Sequence, residues 1–85
     1  MANINHLNIK GFGLALGITW GFAVFILGIA AWWFGWGTGL VDVLGTLYFG
    51  YEATLVGSII GLGWGFVDGF IGGAILAWLY NIFSG

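Results

Sequence analysis

The sequence predicts an all-α membrane protein, a two-transmembrane-helix antiparallel hairpin with a short interfacial helix in the connecting loop. Three observations carry that expectation. Of the 85 residues, 61% are hydrophobic and only 5% are charged, against roughly 25% charged in a soluble domain. Two apolar runs, Gly11 to Phe34 and about Leu55 to Tyr80, are each long enough to cross a hydrocarbon core of about 30 Å. In lipid every backbone N–H and C=O must be bonded internally, so two such runs become two paired helices. The whole chain, 1–85, is then one helical-hairpin domain.

The polar lead of residues 1–9 carries Asn3, Asn5, His6 and Asn8. Asn8 stands where a side-chain oxygen can cap the first helix. The lead has no positive n-region, so a cleaved signal peptide is not expected. In the first span, 11–34, Thr19 is the one polar side chain. Trp32, Trp33 and Trp36 gather at its end and are expected to anchor it at the headgroups.

The connection has a different pattern. Leu40, Val43, Leu44, Leu47 and Tyr48 recur at helical spacing, with Thr38, Asp42 and Thr46 mostly opposite. This predicts an amphipathic helix over about 38–48, lying in the interface plane and capped by Thr38. An ordered apolar loop packed on the hairpin is the alternative. Gly50-Tyr51 turns the chain into the second span, 55–80, whose far end is marked by the anchors Trp78 and Tyr80 and by Phe83. Lys10 and the amino terminus flank the same end. The positive-inside rule therefore puts both termini in the cytoplasm, the spans in the inner (cytoplasmic) membrane, and Asp42 and Glu52 outside.

The two spans resemble each other. Gly13, Gly17, Trp20, Gly21, Phe22 and Gly28 match Gly57, Gly61, Trp64, Gly65, Phe66 and Gly72 at one constant offset. In consecutive antiparallel spans such a repeat implies a pseudo-two-fold axis in the membrane plane. Gly13, Gly17 and Gly21, and again Gly57, Gly61, Gly65, Gly69 and Gly73, recur every fourth residue. Such glycine faces let helix backbones approach closely. Spacing by four drifts about 40° per step on a 3.6-residue helix, so the second series wraps around its helix and one neighbour cannot use it all. Self-association, or packing into a larger membrane complex, is the expected consequence. Tight packing within the chain is the alternative.

Asp68 lies at the middle of the second span. A carboxylate there costs about 2.5–3.5 kcal/mol on insertion scales unless it is paired, hydrated or protonated. Helical spacing sets it beside Gly61 and Gly65. The donors expected nearest to it are the Trp20 indole N–H and the Thr19 hydroxyl. Asp68 then has three possible roles: polar glue between helices, the lining of a hydrated pore or proton path, or a seat for a cation or a partner's basic residue. Trp20 and Trp64 sit deep and each precedes a glycine, which favours knob-and-hole packing over stacking on a cofactor.

Several function classes are excluded. One Lys and a net charge of −2 leave no basic surface for nucleic acid. Without Cys there is no thiolate nucleophile or disulfide. A single His with no carboxylate at ligand spacing does not make a zinc, haem or triad site, and His6 is expected to be solvated. No enzyme, metal or resident cofactor is predicted. The lipid bilayer is the first partner.

Gly11-Phe12-Gly13-Leu14-Ala15 with Trp20-Gly21, Leu44-Gly45-Thr46-Leu47-Tyr48 with Gly50-Tyr51, and Trp64-Gly65-Phe66-Val67-Asp68-Gly69-Phe70-Ile71-Gly72-Gly73 with Ala77-Trp78-Leu79-Tyr80-Asn81 together cover nearly the whole chain. This set resembles a group of small two-span bacterial and archaeal membrane proteins of unknown function, often labelled bacteriophage holin. The resemblance implies a two-span fold and, from the label, oligomers that perforate the cytoplasmic membrane. A hairpin with glycine repeats and a mid-membrane carboxylate also resembles the rotary ATP synthase c subunit. That protein, however, joins its helices by a short basic loop and carries its glycines on the first helix. The sequence therefore predicts a non-enzymatic membrane protein that assembles through glycine-rich faces, with a holin-like or proton-conducting pore using Asp68 as the alternative.

Overall fold

The structure, a computed structural model, describes residues 7–84. His6 lies outside the described residues. The described chain is all-helical, with α1 (Ile9–Phe34), α2 (Thr38–Gly45) and α3 (Leu55–Ser84) in order. Both α1 and α3 are long and apolar enough to cross a membrane.

Local chemistry sets each boundary. Asn8 Oδ1 accepts from the Gly11 N–H at 2.8 Å, so α1 starts at Ile9 rather than Gly11. It ends at Gly35, whose φ of 66° is left-handed and suits a residue without Cβ. The expected cap of α2 shifts by one: Gly37, also left-handed at φ 78°, is the N-cap, and Thr38 is the first helical residue. This helix stops at Gly45 rather than Tyr48. The Thr46 hydroxyl donates to Val43 O at 2.6 Å, an alternative to helix continuation that hydroxyl side chains offer. Residues 46–48 go on as hydrogen-bonded turns, with Tyr48 N–H on Leu44 O at 2.8 Å. Thr54 Oγ1 accepts from the Gly57 N–H at 2.8 Å and caps α3. At its other end α3 runs past Tyr80 to Ser84. There the Asn81 amide grips Leu7 twice, accepting from its N–H at 2.7 Å and donating to its carbonyl at 2.9 Å.

Helices α1 and α3 pair antiparallel, glycine on glycine. A Cβ built on Gly65, Gly69 or Gly73 would lie 2.9, 2.9 or 3.1 Å from the Cα of Gly21, Gly17 or Gly13. On Gly69 it would also lie 2.7 Å from the Leu16 carbonyl oxygen. Only bare backbone fits at these points, and the approach adds Cα–H···O contacts to dispersion. The other half of the rod is built differently. There the connection folds back along the hairpin, and its Val41, Tyr48 and Tyr51 form a buried cluster with Val24 and Ala31. The Tyr51 ring lies against Gly28 and Gly61, and its hydroxyl donates to Val24 O at 2.6 Å. The result is a rod of 48 × 19 × 18 Å.

All eight glycines expected to drive assembly, Gly13, Gly17, Gly21, Gly57, Gly61, Gly65, Gly69 and Gly73, are buried within the chain. Intrachain packing, including the folded-back connection, accounts for each of them. The drift of the second series is resolved by two neighbours from the same chain: α1 takes Gly65, Gly69 and Gly73, and the segment 51–54 takes Gly57 and Gly61.

Candidate functional site

The polar centre of the hairpin is a chain of three side chains from three segments. Trp20 Nε1 donates to the Tyr48 hydroxyl oxygen at 3.1 Å, and the Tyr48 hydroxyl donates to Asp68 Oδ2 at 2.5 Å. The direction is forced. Indole N–H can only donate, so the tyrosine oxygen accepts and its single proton is committed to the carboxylate. Bonds of this kind to a carboxylate are short and stronger than neutral ones.

The level of this chain follows from helix rise. Asp68 lies about 20 Å along α3 from Leu55, and Trp20 about 21 Å along α1 from Phe34, at 1.5 Å per residue. The tip of the connection therefore reaches the middle of the rod. It is held there at more than one point. The Tyr48 ring stacks on Trp64 with planes 7° apart and centroids 6.0 Å apart. Trp64 Nε1 donates to Phe49 O at 2.9 Å. Tyr51 meets Tyr48 edge-on at 6.3 Å. Gly50, at φ 90°, makes the tight turn between the two tyrosines, packed against Ile60.

Both tryptophans of the internal repeat thus grip one side chain, Trp20 by its N–H and Trp64 by its face. Gly21 and Gly65, equivalent in the repeat, pack on each other, so a local pseudo-two-fold runs between them. The connection breaks that symmetry. Gly28 lies under Tyr51 and Ser58, whereas its counterpart Gly72 has open space beside it.

Of the residues expected at the polar site, Asp68 and Trp20 are brought together, but through Tyr48 rather than directly. Thr19 lines the same groove as Asp68 without bonding to it. Tyr48 is the partner that sequence reasoning missed. Its helical spacing with Leu40 and Leu44 placed it on an apolar face; a tyrosine there, with a hydroxyl in need of an acceptor, was the available signal. Asp68 is exposed on the lone hairpin. Beside it opens a groove of about 370 Å³ lined by Leu16, Thr19, Trp20, Gly69 and Gly72. The anchors Trp32, Trp33 and Trp36 at one end of the rod, and Trp78 and Tyr80 at the other, are all exposed. Asp42 and Glu52 share a polar hollow with Thr46 and Thr54 on the connection's outer side. Among the described residues no three His, Asp or Glu side chains converge.

Comparison of the chain with protein-family models, with curated proteins and with solved structures finds no match.

Proposed function

We propose that the chain is a non-enzymatic integral membrane subunit. In this reading α1 and α3 cross the inner membrane, and the connection re-enters the bilayer instead of lying in the interface plane. The hairpin packs against other protein through the face that carries Asp68. One observation carries this: Asp68 stands at mid-length of α3, bonded through Oδ2 and exposed on the lone hairpin. At hydrocarbon depth an exposed acidic group is costly, and a covering protein surface relieves it. The buried glycines support a role in closing the hairpin, which leaves assembly to the Asp68 face. The Trp20–Tyr48–Asp68 chain runs across the rod at one level, not along it. That supports a pinning role for Tyr48 over a proton path through one hairpin.

The test is the mass of the particle extracted in a mild detergent, with every co-purifying chain identified. The expected particle exceeds one 9.1 kDa chain with its detergent. A clean monomer with nothing bound overturns the proposal. So does proton or dye leakage from vesicles holding the purified chain, the outcome a holin-like or proton-conducting pore requires.

A further inference from the structure

The groove beside Asp68 has a counterpart on the same face of the hairpin, and that counterpart is filled. The repeat offset that pairs Gly21 with Gly65 also pairs Leu16 with Ile60, Trp20 with Trp64, Val24 with Asp68 and Gly28 with Gly72. Ile60, Trp64, Val24 and Gly28 make the seat of the connection. Gly50 packs on Ile60, Tyr48 stacks on Trp64, and Tyr51 covers Gly28 while its hydroxyl donates to Val24 O. Leu16, Trp20, Asp68 and Gly72 line the equivalent groove, which no segment among the described residues fills. The filled seat shows what this geometry accepts: a protein segment that lays a bulky side chain on the bare glycine and brings a donor to the Val24 backbone carbonyl. In the open groove the counterpart of Val24 is Asp68, whose side chain adds a carboxyl group to the lining.

We infer that this groove is the docking site for a membrane-embedded segment of a partner protein that brings a Lys or Arg to Asp68. The inference rests on the spanning hairpin proposed above and names the partner of the same face. Charge complementarity selects the occupant, because a basic side chain matches the carboxyl and neutralises it in the low-dielectric bilayer. A second copy of this chain does not supply it. Its sole Lys or Arg is Lys10, in the first turn of α1. That is about 12 Å of helix rise from Ile18, and Ile18 continues the glycine register opposite Asp68. Nor can the connection of a copy supply it, because residues 35–54 contain no Lys or Arg.

The experiment measures association in phosphatidylcholine vesicles by energy transfer between the labelled full-length protein and synthetic helices of about 20 leucine and alanine residues. One helix has a central Lys and the other a central Leu. The Lys helix is expected to bind about tenfold more tightly. Asp68→Asn removes the difference and Asp68→Glu keeps it. Gly72→Leu, at a position where an added Cβ meets nothing in the hairpin, blocks the groove with the fold intact and also removes the difference. Equal binding of the two helices overturns the inference, as does a Lys preference that survives both Asp68→Asn and Gly72→Leu. A detergent particle containing only copies of this chain, held together through Asp68, overturns it too while leaving the subunit proposal standing. A clean monomer removes the subunit proposal instead.

Discussion

Tyr48 and Asp68 are joined by a 2.5 Å hydrogen bond that ties the tip of the connection to the middle of α3. The bond crosses between segments that the sequence separates by a turn and half a helix, and the tyrosine oxygen also receives Trp20. Removing one hydroxyl therefore strands two groups.

Tyr48→Phe should destabilise the hairpin by about 1–3 kcal/mol, the worth of two part-buried hydrogen bonds, one of them to a carboxyl group. Equilibrium unfolding in detergent micelles measures it. Trp64→Phe keeps a ring under Tyr48 and gives up only the bond to Phe49 O, so its loss should be smaller, about 0.5–1.5 kcal/mol. If the two variants lose equally, the polar chain is not the stronger tie.

Gly69→Ala and Gly72→Ala, three residues apart on one helix, should differ in sign. The first puts a methyl 2.7 Å from the Leu16 carbonyl and 2.9 Å from Gly17 Cα, which forces the helices apart at a cost of about 1–3 kcal/mol. The second meets nothing and should gain up to about 1 kcal/mol from helix propensity. The same unfolding assay decides between them.

Much of this fold was legible from the chain. The two long helices follow from apolar length, and Asn8 caps α1 as its side chain suggests. The pairing of Trp20 with Asp68 in one site was approached from register alone. The path of the connection was not legible. Leu40, Leu44 and Tyr48 share a helical spacing that fits the interface plane and the flank of α1 equally well. What separates the two is a tertiary fact: Tyr48 finds Asp68 and Trp64, and Tyr51 finds the hollow over Gly28 and Gly61. The glycine series had the same ambiguity, because periodicity states that a backbone is approached closely and not whose backbone approaches. Thr19 shows the limit of a level-matching argument, since it lines the groove of Asp68 without touching the carboxylate.

The central claim is that the connection folds back to mid-rod inside the bilayer. The chain has no Cys, so single cysteines report on it cleanly. Phe49→Cys tests the tip, since the native side chain is 86% exposed and its backbone makes the bond to Trp64. Glu52→Cys tests the polar hollow. With the protein in vesicles, a water-soluble maleimide should label Glu52→Cys readily and Phe49→Cys slowly, while a lipid-soluble maleimide labels both. Equal, rapid labelling of both by the water-soluble reagent would place the tip in water and contradict the account.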